Sequence, residues 1–171
     1  MKKVHLTLQK GVTILELVLY MAILSGLLVI LTSIFVAALD VQMESSATSS
    51  VEEDGNYILA KLAYDIHRAQ SISIPPSNGA TSTGSFEIVI DGINYTYATD
   101  ANNNLILTNN TGANNLNNYN SGISNFSIQR LGNAGGAEDT LRISFVITSR
   151  DKRISGYEVR NFSTNLSLRR Q

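Results

Sequence analysis

The sequence predicts an α+β fold, with a long N-terminal helix packed on a C-terminal antiparallel β-sheet head. Three observations carry this expectation. Residues 17–39 run for 23 positions without a charge. An apolar helical period then resumes from Val51. After Pro75-Pro76 the pattern changes to short alternating runs separated by Gly, Asn and Asp.

The apolar run is long enough to cross a bilayer, which takes about 20 residues. Within it, Ser25, Thr32 and Ser33 are tolerable because their hydroxyls can bond back to carbonyls of their own helix. Lys2, Lys3 and Lys10 precede the run, and Asp40, Glu44, Glu52, Glu53 and Asp54 follow it. This asymmetry predicts a cytoplasmic N-terminus and an exported C-terminal bulk. An ordinary signal peptide, cut near Ala38, has a shorter apolar core of about 7–15 residues. A plain single-pass anchor fits the length but leaves Glu16, an acid just inside the apolar stretch, without a role.

Beyond the span, residues 40–50 are rich in Ser and Thr, and helix propensity there is mediocre. An interruption is expected in that stretch, at Gly55, or at Ser25-Gly26. From Val51 onward Ile58, Leu62 and Ile66 recur every four residues, broadened by Leu59, Ala63 and Ala69. Glu52, Glu53, Lys61, Asp65 and Arg68 fall largely off that stripe, as in an amphipathic helix. The helix should end before Pro75-Pro76.

Residues 75–85 read as a loop. Strands are expected at 86–90, 93–98, 105–108, 123–131, 140–148 and 154–168. Asp91-Gly92 marks a tight hairpin turn between the first two. Residues 109–120 read as a surface loop, and Arg150-Asp151-Lys152-Arg153 as a solvated turn between the last two strands.

Few chemistries remain open. The chain has 171 residues, a net charge of −1, no cysteine, and two histidines, His5 and His67. Disulfides, thiolate metal sites and cysteine nucleophiles are excluded. No nucleophile elbow, phosphate loop or zinc spacing occurs, so no enzymatic activity, catalytic residue or cofactor is expected. Asp100, Asn102 and Asn104 place oxygens at alternate positions, as a calcium loop begins. The Gly expected next is replaced by Leu105 and no closing Glu follows, so a hairpin loop is the better reading. His67 reads as a surface or boundary residue. Arg150, Lys152, Arg153, Arg160, Arg169 and Arg170 bias the tail positive. A solvated tail is preferred over contact with nucleic acid.

The segment Lys10-Gly11-Val12-Thr13-Ile14-Leu15-Glu16-Leu17 resembles the processing site of type IV prepilins and type II secretion pseudopilins. In that family a basic leader ends in Gly, and the fifth mature residue is Glu. Counted from Val12, the fifth residue here is Glu16. The resemblance covers residues 1–40 closely and the remainder in layout. It departs in having Val12 where Phe is usual, Ile14-Leu15 where the common order is Leu-Ile, and no proline midway along the span.

The resemblance implies a pilin-like fold and cleavage between Gly11 and Val12 by a prepilin peptidase, with N-methylation of Val12. It also implies an assembly charge pair between Glu16 and the N-terminal ammonium of a neighbouring subunit. The expected organisation is a leader at 1–11, a transmembrane and filament-core helix at 12–39, an amphipathic helix at 40–74 and a β-rich head at 75–171. The expected function is a structural subunit, a minor pilin or pseudopilin. It would serve a type IV pilus, a competence pilus or a type II secretion pseudopilus. The final hairpin resembles those of minor pilins and J-type pseudopilins. Implied partners are the prepilin peptidase, other pilin or pseudopilin subunits, an inner-membrane assembly platform and, before assembly, membrane lipid. The implied location is the bacterial inner membrane and then the filament. The alternative is a membrane-anchored binding module with an uncleaved N-terminus.

Overall fold

The computed structural model describes residues 11–132, 139–153 and 155–168. Lys2, Lys3, His5, Lys10, Ile154, Arg169 and Arg170 lie outside the described residues. The chain divides into two compact units, Met1–Val41 and Gln42–Gln171.

The described part of the first unit is three residues of irregular chain, 11–13, and then the beginning of a single helix, α1 (Ile14–Arg68). Every residue from 17 to 39 is exposed, and the helix is apolar and long enough to cross a membrane. Its few polar side chains are satisfied internally. Ser25 Oγ donates to the Ala22 carbonyl at 2.9 Å, Thr32 Oγ1 to Leu28 at 2.8 Å and Ser33 Oγ to Val29 at 2.9 Å. No break occurs at Ser25-Gly26.

In the second unit α1 continues without the expected interruption. Ala47, Val51, Ile58, Leu62, Ile66 and, just past the helix end, Ala69 are buried along one stripe. Ala47 carries this stripe back into the Ser/Thr-rich stretch, so packing overrides weak propensity there. Gly55 is a point of close approach rather than a break. A Cβ at that position would clash with the tip of the Phe162 ring. Helix and sheet touch here with nothing between them.

The helix stops at Arg68, short of the expected end at residue 74. Gln70 N–H donates to the Val89 carbonyl at 2.9 Å, and β1 (Ser71–Ile74) pairs with β3 (Ser85–Ile90). Strand pairing therefore ends the helix before proline does. The Ile74–Pro75 bond is cis.

The head contains two antiparallel sheets where one was expected. The first has the order β1-β3-β4-β5-β6, with β4 (Ile93–Thr99), β5 (Leu105–Asn109) and β6 (Gly112–Asn115). The second has the order β2-β7-β8-β9, with β2 (Thr81–Thr83), β7 (Ser121–Leu131), β8 (Thr140–Ser149) and β9 (Val159–Ser167). β2 and β6 fall in segments read as loops, because their Thr, Ser, Gly and Asn carry no apolar alternation. The sheets join at Gly84 (φ 77°), whose N–H donates to Phe126 at 2.8 Å and whose carbonyl accepts from Thr99 at 3.0 Å.

The predicted turn at Asp91-Gly92 is present, with both residues at positive φ (52° and 75°), the conformation of a primed hairpin turn. In β7 the register shifts between Ser124 and Ser127, and Asn125 sits at φ 53°. This bulge places Phe126 three residues after Ile123 yet on the same buried face.

One continuous core unites the stripe of α1 with Phe86, Ile88, Tyr97, Leu105, Ile123, Phe126, Ile128, Leu141, Ile143, Phe145 and Ile147. Phe162 stacks on Phe145 at 5.4 Å between ring centroids.

Candidate processing and assembly site

Gly11, Val12 and Thr13 precede the helix as exposed, irregular chain. Thr13 is the N-cap. Its Oγ1 accepts the backbone N–H of Glu16 at 3.2 Å, and its carbonyl accepts from Leu17 N at 3.1 Å. Thr13-x-x-Glu16 thus has the spacing of a capping box, which was legible in the sequence but was not among the expectations drawn from it. It explains why the helix begins at Ile14, leaving the Gly11–Val12 bond in exposed, irregular chain.

Glu16 lies in the first turn, where the helix dipole favours an acid. Its Oε1 accepts a hydrogen bond from Tyr20 Oη at 2.8 Å, a partner one turn on that sequence reasoning also missed. This bond stabilises one carboxylate oxygen without a second chain. Both oxygens of a carboxylate can accept, and Tyr20 uses one of them.

The remaining candidate positions lie in the head or near its base. The carboxylate of Asp100 accepts from the backbone of Asn104 at 2.7 Å, the backbone of Asn102 at 2.9 Å and the Asn104 side-chain amide at 2.9 Å. The Asn104 backbone N–H is the main cause that holds the Asp100 carboxyl below its usual range; the other N–H donors add to it. Asn103 takes φ 60° in this turn. Asp100, Asn102 and Asn104 therefore form the loop joining β4 to β5, with the acid bonded to its own chain. His67 is exposed in the last turn of α1.

Two acids were misplaced by periodicity. Asp65, expected off the buried stripe, is fully buried. It accepts from Tyr97 Oη and pairs with Lys61 Nζ at 2.9 Å. Burial, then the bond to Asp65, pushes the Tyr97 phenol far above its ordinary value. Asp54, read as part of the acidic flank, is also buried, accepting from Ser121 Oγ and from Asn118 N at 3.0 Å.

The basic cluster is not uniformly solvated either. The Arg153 side chain is 9% exposed, bonded to Glu44 of the helix and to Glu158 at 2.8 Å. Arg160 pairs with Glu52 and with Glu158 at 3.0 Å. The bond from Arg160 is the main cause that holds Glu158 below the usual glutamate range, and Arg153 adds to it.

Among the described residues, no group of three or more His, Cys, Asp or Glu side chains is placed to hold a metal ion. Neither a family model, nor a curated protein, nor a solved structure matches this chain.

Proposed function

We propose that the chain is a filament subunit of the type IV pilin or type II pseudopilin kind, a minor pilin or pseudopilin, assembled through α1 after removal of residues 1–11. The observation that carries this reading is one juxtaposition. A Gly11–Val12 bond in exposed chain is followed at once by a Thr13-capped helix with Glu16 in its first turn, and then by 23 exposed residues without a charge.

The mechanism follows from the cost of each group in lipid. Before assembly the apolar surface of residues 17–39 is covered by acyl chains. During assembly those contacts are exchanged for helices of other subunits. Glu16 costs about 2.5–3.5 kcal/mol at the centre of a bilayer and less near its edge. Tyr20 offsets part of that cost while the subunit waits. Cleavage after Gly11 creates an ammonium on Val12. On a neighbouring subunit that cation neutralises Glu16 and fixes the axial register between the two chains.

The test is the intact mass of the protein isolated from its native membrane, with and without the prepilin peptidase. The expected product starts at Val12, carries one added methyl group and disappears without the peptidase. An intact N-terminus in both strains overturns the reading in favour of an anchored binding module. A start near residue 39 overturns it in favour of a secreted domain.

A further inference from the structure

We propose that a cleft at one end of the second sheet binds a single acidic sugar, such as the terminal uronic acid of a glycan. The inference does not rest on the filament reading. The cleft, of about 280 Å³, is formed where the β4–β5 loop, the start of β7, the end of β8 and the chain before β9 converge. Clefts for drug-sized ligands run from roughly 300 to 1,000 Å³, so this one has room for about one sugar ring.

Its lining supplies three complementary groups. The first is a cation, Arg150. Its Nη2 donates to the Asn102 carbonyl at 2.7 Å and to Asn104 Oδ1 at 2.9 Å. Among the described residues, Nε and Nη1 have no hydrogen-bond partner. The guanidinium is thus held in place with donors to spare for a carboxylate. The second group is an aromatic ring, Tyr157, which is 52% exposed. An exposed tyrosine offers an apolar face for the C–H side of a sugar and a hydroxyl at its tip. The third is a set of small polar side chains, Asn103, Ser124 and Thr148, able to donate to and accept from sugar hydroxyls.

The chemistry of the lining argues against other ligands. It contains no Asp or Glu, so a divalent cation lacks its hard oxygen ligands. It has one cation, already half engaged, and no helix N-terminus, so a phosphate lacks the clustered donors it takes.

The cleft is also braced from beneath. Asn117 Nδ2 donates to the Ser121 carbonyl at 2.9 Å and to Asn104 Oδ1 at 3.3 Å, and its Oδ1 accepts Leu105 N at 2.9 Å. Ser121 in turn is tied to the buried Asp54 of α1. The Ile123 N–H bonds to Asn103 O at 2.7 Å, and Arg150 N to Asn120 O at 2.8 Å. A preorganised lining of this kind reduces the ordering cost of binding a small ligand.

The experiment is saturation-transfer NMR on the full chain in detergent micelles. Glucuronic acid is the probe; glucose and acetate are the controls. Transfer to the ring protons of glucuronic acid is expected. Glucose should bind about tenfold more weakly, and acetate should give no signal. Tyr157→Ala and Arg150→Gln should each weaken the glucuronic acid signal about tenfold at unchanged melting temperature. Absence of transfer, or equal binding by both variants, overturns the proposal. Equal binding of glucose removes the role of Arg150, and acetate binding as well as glucuronic acid removes the sugar; either result also overturns it.

Discussion

Between residues 14 and 41, α1 carries Leu, Ile and Val on all sides, nearly all exposed. Between residues 42 and 68 the same helix buries a single stripe, Asp54 and Asp65 included, and turns Glu44, Glu52, Glu53, Tyr57 and Tyr64 outward. The two stretches share a backbone but not a source of stability. The first is uniform around its axis, so it has no preferred side and suits a surrounding of lipid or of several like helices. The second is specified position by position, down to a glycine where a Cβ would press on the Phe162 ring. Each glycine of α1 reflects its half. A Cβ at Gly26 would meet nothing within 4 Å, whereas one at Gly55 would clash with the tip of the Phe162 ring.

The comparison can be tested from both sides. The largest effect is expected in the first half. On the proposed filament reading, Glu16→Ala should leave insertion and cleavage intact but reduce incorporation into filaments roughly 100-fold, the factor for about 2.7 kcal/mol. The ratio of cleaved membrane pool to sheared filament protein measures this. Normal incorporation removes Glu16 from the assembly mechanism.

The next effect pairs one substitution at two sites. Gly55→Ala should destabilise the head by about 1–3 kcal/mol through overpacking. Gly26→Ala should leave head stability unchanged. Urea unfolding followed by the tyrosine signal separates them, and combining Gly55→Ala with Phe162→Ala should recover part of the loss.

Tyr97→Phe should cost about 1–2 kcal/mol, because it removes a bond to the buried Asp65 carboxylate. Tyr64→Phe, on the exposed face of α1, should cost under about 0.5 kcal/mol. Equal costs at the two sites would mean that Asp65 is held by Lys61 alone.

The smallest effect is a pH dependence confined to the second unit. Glu158 and Asp100 are both held below the ordinary carboxylate range in the folded state. The folded head therefore binds fewer protons than the unfolded chain in acid. Their contribution is complete above the ordinary range and is lost as pH falls through the lowered values, below about pH 4. Glu158→Gln should flatten that acid limb, measured as melting temperature against pH, and added salt should do the same in part.

Much of this architecture was readable from the sequence because it rests on periods. Alternation in Phe86, Ile88 and Ile90 and in Leu141, Ile143, Phe145 and Ile147 marked β3 and β8, and Asp91-Gly92 marked the turn after β3. The unread elements depend on distant partners. β2 and β6 have no apolar pattern, and each is held by pairing to another strand. Asp54 and Asp65 look like solvated acids until Ser121 and Tyr97 are brought to them across 67 and 32 residues. The Asn125 bulge carries no local signal beyond an Asn among polar neighbours. At the candidate assembly site, the offset of Glu16 from Gly11 was legible, and so was the capping spacing from Thr13. The bond from Tyr20 requires a helix through this segment before the i to i+4 relation has meaning.

The contacts between the last hairpin and α1 have a mechanical consequence. Glu44, Glu52 and Gly55 meet Arg153, Arg160 and Phe162, and the buried stripe runs alongside them from Ala47 to Ala69. A pull along the helix axis loads all of these contacts in parallel, as shear, so they must yield together. A pull across the axis peels them one at a time.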